Sequence, residues 1–556
     1  MKTYIYTQLK KITAWNLLVV GLMTAISCKD ALVKSPLTEF ARESFWQSES
    51  NAMLALAGVY RGNNIYNVAE FNPADWWSYH GLIFLEFASD NAYDRRGDNS
   101  AVHKLTNGTN LATNAYMTNY WTNSYLRIAR CHEFLENIDR VPMDETRKKR
   151  MVAEVKFIRA SQYFYMSQYW GGVPLVTKSL TPSEANAQVR ASKAEIVKFT
   201  EDEFKASVAD LPRHKDVVAA ERGRVTKQTV LAFLGRLYLA EKRYQEAADV
   251  YKQIIDFGDN SIDPNYLNLF IPAGENSNEI IFANQFVNDL QGQGFLQHCY
   301  PAVANGWHIF CPLGSIAEEY EFSDGTPFSY TDSRYDSKNL GKSRDPRFDF
   351  NLIYNNASFK GRTYTTHPDV RDSPDQLGAG KQTTQTGYGI RKFNDESYSG
   401  NLQQSGGNIP VIRYAEVLLG YLEAKIETGE VTQALLDQTI NLIRRRASVQ
   451  MPPITFTTLT RIKEQMRHER RVELAFEGVR YWDLLRWGIA HQVLNGDFYG
   501  APFPGANNIR KKGTTIDPNS RWYVTTRAFR QGVDYLWPIP QSEININPNL
   551  KQNPGY

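Results

Sequence analysis

The chain has no surplus of either charge, few cysteines, and no motif that cradles a phosphate or activates a nucleophile. Each lack removes a class of function. The 63 basic and 60 acidic residues leave +3 without a long run of one sign, so nothing marks the chain for nucleic acid or an anionic membrane surface. No phosphate-binding glycine loop, dinucleotide fingerprint or G-x-S-x-G elbow occurs, which removes the usual starting points for nucleotide and acyl chemistry. The zinc-protease spacing H-E-x-x-H also fails, because the fourth residue after His468 is Val472 rather than a second histidine. Length and rings are what the chain has in quantity. At 556 residues it holds two or three ordinary domains or one large helical array. Its 13% aromatics, with 11 Trp and 31 Tyr, suit both a large core and a surface that grips ligands.

The N-terminus reads as an export signal. Lys2, Lys10 and Lys11 precede an apolar stretch from Ile12 to Ile26 that ends at Cys28. Asn16 and Thr24 interrupt the stretch, which falls short of the roughly 20 apolar residues of a membrane span. Ala25-Ile26-Ser27-Cys28 resembles a lipobox with Ala25 in place of the usual leucine, so residues 1–27 are expected to be removed and Cys28 acylated. Ordinary cleavage near Ser27 is the alternative. Lys29-Asp30 resembles the start of the signal that sends Bacteroidetes lipoproteins to the cell surface.

Residues 28–556 are expected to fold as one unit. Apolar residues at helical spacing predict a helix over 148–168, closed by Gly171-Gly172, and a second over 193–209. Thr226 to Asp256 follows the tetratricopeptide pattern, with Leu234-Gly235-x-x-Tyr238, then Ala247 and Tyr251 at the proper offsets. Gly235 is expected to let two helices approach closely, with Tyr238, Ala247 and Tyr251 filling the space between them. Helix pairs are thus expected over about 148–258 and 413–447, the second broken at Gly429 with Ala434, Ile440 and Ile443 on the buried stripe of its later helix. Between about 266 and 409 the helical period fades into scattered Gly, Asn, Ser, Asp and Pro. Loops of that length are uncommon unless they serve a site.

Three blocks carry a family resemblance that spans most of the chain. The segment from Arg467 to Gly488, reading RHERRVELAFEGVRYWDLLRWG, and the ending Leu536-Trp537-Pro538-Ile539-Pro540 through Asn553-Pro554-Gly555-Tyr556 are similar to the SusD/RagB family. The third block, Arg159 through Phe164 with Tyr169-Trp170-Gly171-Gly172-Val173-Pro174-Leu175, looks like the first repeat helix of that family. The resemblance implies an all-α scaffold of tetratricopeptide-like helix pairs with long irregular loops and minor β structure. It also implies a non-catalytic, lipid-anchored outer-membrane protein exposed at the cell surface, which captures glycans without a cofactor and hands them to a SusC-like TonB-dependent transporter. Two rivals stand beside this reading, a surface glycoside hydrolase and a protein-only repeat adaptor. For the hydrolase, Glu469, Glu473 and Glu477 do line one helical face, but Arg470, Arg480 and Arg486 stand three residues from Glu473, Glu477 or Asp483. That is the spacing of intrahelical ion pairs rather than of a carboxyl with a raised pKa.

A glycan site needs flat rings for the sugar face and polar groups for its rim. Two stretches offer both. One is Asp75-Trp76-Trp77-Ser78-Tyr79 with Asn91, Tyr93 and Arg95; two adjacent Trp in an extended segment cannot both point inward, so at least one is expected to face solvent or ligand. The other is Asn305-Gly306-Trp307-His308, which the resemblance places beside the binding surface. Trp121 is set aside as structural. Cys131, on the stripe Ile128, Cys131, Leu135, Ile138, reads as a core thiol. Cys299 and Cys311 are near enough in sequence to pair in an exported protein, although neither spacing nor compartment requires it. His298, Cys299, His308 and Cys311 match no usual zinc spacing, and no metal is assigned.

Overall fold

The structure, a computed structural model, describes residues 45–62, 75–378, 380 and 382–556; the expected export signal and Cys28 lie outside them. Eight helices of more than ten residues form the scaffold among the described residues: α1 (Glu49–Arg61), α2 (Ala115–Asn137), α3 (Glu145–Tyr169), α4 (Lys193–Val208), α5 (Lys227–Ala240), α6 (Tyr244–Phe257), α7 (Tyr414–Glu427) and α8 (Leu459–Glu473). Each packs on its successor from α1 through α8, as a helical repeat array does. None is long and apolar enough to cross a membrane. Their starts follow from local chemistry. The Ser192 hydroxyl accepts from the Glu195 amide at 3.2 Å while the Glu195 carboxylate accepts from the Ser192 amide at 2.8 Å, a reciprocal cap that opens α4. Asp144 caps α3 in the same region of the chain by accepting from the Arg147 amide.

The tetratricopeptide reading of α5 and α6 holds in detail. Tyr238, Ala247 and Tyr251 are buried, and a Cβ on Gly235 would lie 2.3 Å from the Tyr251 ring. The same ring lies against Gly420 of α7, where a Cβ would stand 2.8 Å away. One tyrosine thus fills two glycine notches, and the three helices close around it. The later pair differs from expectation after Gly429. Its second helix is broken at Thr439 (φ −122°, ψ −97°) into Gln433–Gln438 and Ile440–Arg444. The break shifts the phase, so Ala434 is exposed and Leu435 and Leu436 are buried, together with Ile440 and Ile443.

Among the described residues the strands are short and pair in twos: β1 (Ala92–Asp94) with β3 (Phe310–Pro312), β2 (Ile280–Asn284) with β4 (Ile409–Arg413), and β5 (Gly496–Pro502) with β6 (Arg521–Arg527), all antiparallel, beside two pairs of two-residue strands. The β2–β4 pair ties off the irregular stretch at its base, so residues 285–408 form one long excursion from the helical array.

The helix α8 and the turn after it hold this excursion in place. The expectation of intrahelical pairs is met by Asp483 and Arg486 at 2.8 Å; Arg470 reaches Asp483 at 2.7 Å from the preceding helix instead. The expectation fails at Glu473 and Glu477, whose partners come from distant elements. Glu473 binds Arg347 at 2.9 Å and Arg413 and Arg446 at 2.7 Å each. Glu477 binds Arg413 and Lys392, each at 2.7 Å, and Arg480 reaches across to Asp90 at 2.9 Å. Burial alone would raise the Glu473 carboxyl; the guanidiniums of Arg446, Arg413 and Arg347 instead hold it well below the ordinary range. Burial likewise opposes ionisation of Glu469, and Arg347 and Arg444 overcome it. A general acid of a glycosidase needs the opposite shift.

Candidate functional site

The pairing of β1 with β3, with Tyr93 opposite Cys311, brings together the two stretches singled out in the sequence. Past β1, the Arg95 amide donates to the Ile309 carbonyl at 2.9 Å. Before β3, the chain leaves the short helix Phe295–Cys299 and folds back on it. Three amides fix the return: Trp307 to the Gln297 carbonyl at 2.7 Å, His308 to that of Tyr300 at 3.1 Å, and Ile309 to that of His298 at 2.6 Å. The Gln297 side chain closes the loop from the other direction, donating to the Asn305 carbonyl at 3.0 Å. Asp375, from the far end of the excursion, accepts the amides of Ala302 and Val303 at 2.7 and 3.0 Å. Asn305 takes a left-handed turn at φ +66°, which asparagine tolerates. At Gly306 a Cβ would stand 2.1 Å from the Tyr300 carbonyl oxygen, so glycine is required there. The loop is therefore shaped before any ligand arrives.

It presents Asn305 exposed and Trp307 half-buried. Behind the indole stands the His298 ring, 5.2 Å between centroids, and behind that Tyr79, whose hydroxyl is 3.4 Å from His298 Nδ1. Burial drives the His298 pKa well below the ordinary imidazole value, so Trp307 rests on a neutral ring. Arg95 is half-buried beside the loop, and its Nε has no hydrogen-bond partner among the described residues. Its neighbour Arg96 is committed to Asp94, at 3.0 Å from Nε to each carboxylate oxygen. A half-open indole beside an exposed carboxamide and a half-buried guanidinium is the mixture of flat ring and polar groups that a ligand with one apolar face and a hydroxylated rim requires.

The other residues proposed from the sequence do structural work. Trp76 and Trp77 are both buried. The expectation that one faces outward assumed an extended segment, whereas Asp75 forms a turn by accepting the Trp77 amide on its carboxylate at 2.7 Å. The two indoles then diverge into the core. Trp76 stacks on Tyr120, Tyr165 and Tyr169 at 4.1, 4.9 and 5.3 Å and donates to Ser124 at 2.9 Å. Trp77 packs between Phe157 and Phe282. Asp75 is ion-paired to Arg127 at 2.5 Å, with both side chains buried. Asn91 bridges Glu86 and Arg471 at 2.9 Å each, Tyr93 lies on His103 at 4.1 Å, and Tyr79 supports the loop from beneath. Asn305, Trp307 and Arg95 thus remain at the surface. Sequence reasoning missed His298, Gln297 and Asp375 as supports for the loop. His298 had been weighed only as a metal ligand, and nothing local in the sequence ties Asp375 to a loop 70 residues earlier.

The His/Cys group disperses. His308 turns to Asp375 at 3.6 Å and to the Tyr364 hydroxyl at 3.1 Å, while His298 turns to Tyr79. Cys131, Cys299 and Cys311 are buried free thiols, and burial pushes Cys311 up to about 11. No disulfide joins Cys299 to Cys311.

Comparison with known proteins agrees with this architecture. Residues 278–556 match the profile of the SusD family, and residues 52–239 match a profile described as starch-binding associating with outer membrane. A crystal structure of a SusD-like carbohydrate-binding protein from Bacteroides fragilis superposes with a TM-score of 0.89 at 48% identity, covering 91% of this chain and all of that one. A SusD-like protein of Formosa agariphila is 25% identical over 96% of this chain and 98% of its own length. The starch-binding protein SusD of Bacteroides thetaiotaomicron is 25% identical over 76% of this chain and 75% of its own.

Proposed function

The chain belongs to the SusD family, and from that premise we propose that it captures glycans at the cell surface without chemically altering them, through Trp307, Asn305 and Arg95. The observation that carries the reading is the preformed loop, whose backbone is fully tied down while its indole and carboxamide stay open. The relatives named as carbohydrate-binding and starch-binding support a sugar as the ligand class. The indole takes the C–H face of a ring, and Asn305 and Arg95 take hydroxyls.

Acylation of Cys28 anchors the protein to the outer membrane, where two or three acyl chains suffice for stable attachment. A SusC-like TonB-dependent transporter then receives the glycan. A tethered binder over a barrel mouth needs only a hinge motion to deliver its load, and the energy for import comes from the partner. The test is a polysaccharide array followed by calorimetric titration, then co-purification from detergent-solubilised membranes. We expect at least one glycan to bind the wild type and a large barrel protein to co-purify. Binding of no glycan across the array, with protein partners recovered instead, would leave the repeat-adaptor reading in its place.

A further inference from the structure

A cleft of ≈ 570 Å³ opens between α1 and the start of the long excursion. Its floor is closed by Leu56, Trp77 and Phe282, all buried. Its mouth is apolar and open. Met53 and Leu54 of α1 stand at one lip, 39% and 62% exposed. Gln285 and Gln291 stand at the other, and the turn between them carries Val287 and Leu290, 52% and 85% exposed. No other large apolar side chain among the described residues is as exposed as Leu290. Single exposed apolar residues are ordinary, but four beside one cleft form the kind of patch that marks an interaction surface.

The turn holds Leu290 out on a braced backbone. Val287 and Gln291 exchange both backbone hydrogen bonds, at 3.0 and 2.9 Å. From the far end of the excursion, the Gln404 carbonyl accepts the Asp289 amide at 3.1 Å, and the Gly406 amide donates to the Asn288 side chain at 2.5 Å. A Cβ on Gly292 would stand 2.5 Å from the Gln404 backbone, so glycine is what lets the two segments touch. Such a turn loses little freedom when a partner closes on it. The cleft offers little to a sugar. Arg224 is paired with Glu154 at 2.7 Å and Glu221 at 2.6 Å, the Gln285 amide donates to the Ala283 carbonyl at 3.2 Å, and the Trp77 ring lies too deep to present a face. Asp289, exposed at the tip of the turn, suits the polar rim of a protein interface and opposes burial in lipid.

Resting on the reading of the chain as the lipid-anchored half of a pair, we propose that this patch is the face that docks on the outer-membrane barrel. Leu290 enters an apolar pocket in the barrel's outer rim, and an apolar side chain of that rim fills the cleft. Chain length supplies the direction. Cys28 precedes Phe45, the first described residue, by 17 positions, a fully extended reach of about 60 Å and roughly one diameter of a chain this long. The anchor therefore keeps the end that carries α1 nearest the membrane in which the barrel sits. Two proteins held in one membrane need only a modest contact to stay together, and a knob beside a hole supplies one. The patch is separate from the Trp307 loop, so its failure leaves the glycan reading intact.

The test replaces Leu290 by the photoreactive residue p-benzoylphenylalanine in the full chain, expressed in cells, and identifies the adducts by mass spectrometry. The adduct should be a large barrel protein of the outer membrane. Leu54→Glu and Leu290→Glu should each lower the barrel recovered by co-purification about tenfold or more, with thermal melting at the wild-type value because both side chains are exposed. Leu111→Glu, at another exposed leucine outside the cleft, should leave the recovery unchanged. A barrel that co-purifies equally with the wild type and with both cleft variants overturns this proposal alone, whereas a wild type that brings down no barrel overturns the partner reading and the proposal with it. No adduct from position 290, or adducts only with a second copy of the chain or with lipid, also overturns the proposal.

Discussion

Replacing Trp307 and Trp76 by alanine, one at a time, separates the binding surface from the core. Trp307 is half-buried and its close ring neighbour is His298. Truncating a fully buried aromatic costs about 3–5 kcal/mol, so a half-buried one should cost about 1–2. Aromatic anchors at binding sites lose about 2 kcal/mol or more of affinity on truncation, which is roughly a 30-fold weaker Kd. Trp76→Ala should do the reverse. Its indole is fully buried, stacks on Tyr120, Tyr165 and Tyr169, and donates to Ser124 at 2.9 Å. Its loss should cost about 3–5 kcal/mol from packing, with about 1 more from the hydrogen bond, and leave the affinity of the folded fraction unchanged. Calorimetric titration and urea unfolding of the same samples read both quantities. A Trp307→Ala protein with undiminished affinity and a large stability loss would show that the loop is core and that the ligand lies elsewhere.

Glu86 is a buried carboxyl that burial raises to about 7, against hydrogen bonds from Asn91, Gly478 and Ser89. Between pH 4.5 and 7 the native state keeps a proton that the unfolded chain has lost, so this contribution is present below about 4.5 and disappears as pH rises through 7. The slope of about 1.4 kcal/mol per pH unit totals about 3 kcal/mol; Glu86→Gln should lack it, and equal stability differences between variant and wild type at pH 5 and pH 8 would contradict this. Gly235→Ala should cost about 1–3 kcal/mol or more by overpacking, since the added methyl meets the Tyr251 ring at 2.3 Å. Gly58→Ala in α1, where a Cβ meets nothing within 4 Å, should stabilise by about 0.5–1 kcal/mol, and thermal melts compare the two. Glu473→Gln should destabilise by about 3–5 kcal/mol, because it removes the charge that Arg347, Arg413 and Arg446 share; a loss under about 1 kcal/mol in urea unfolding would mean the network rearranges freely.

The helical scaffold was legible because its rules are local. Helical periodicity, the Gly171-Gly172 stop and the spacing of Gly235, Tyr238, Ala247 and Tyr251 all act within a few turns, and the structure follows them. Where a local rule was read at the wrong place, the error has a physical cause. Ala434 lost its buried position to a break at Thr439, and Trp76 and Trp77 both turned inward because Asp75 makes a side-chain turn. The partners of Glu473 and Glu477 were not legible at all. A carboxylate in a sequence offers intrahelical candidates three residues away, but the guanidiniums that bind these two come from residues 347, 413 and 446, which only the tertiary fold brings together. The surface part of the candidate site, Asn305 and Trp307, lies in the stretch whose irregular composition had pointed to loops; its supports were invisible because Asp375 and His298 act through folded geometry.

Those long-range pairs give the best-marked part of the sequence a structural role. From the end of α8, Arg471 reaches Asn91 at 2.9 Å and Asp90 at 2.9 Å, and Arg480 donates to both oxygens of Asp90 at 2.9 and 3.0 Å. Asn91 leads directly into β1, and its carbonyl accepts the Leu313 amide at 2.9 Å, just beyond β3. The candidate binding loop hangs between β3 and the helix Phe295–Cys299. On the other side, Arg347 and Arg413 pin the excursion near its middle and at its base through Glu473, and Arg413 also holds Glu279. A buried ion network of this kind adds little net stability compared with apolar packing, but removing one member leaves uncompensated charge. Its use here is positional. An irregular segment of more than a hundred residues has no periodic packing to fix it, and charges with a single satisfying arrangement supply the registry that helices obtain from ridges and grooves. The arginines and glutamates that resemble an active site are therefore better read as the clamp that gives a loop-built surface one shape.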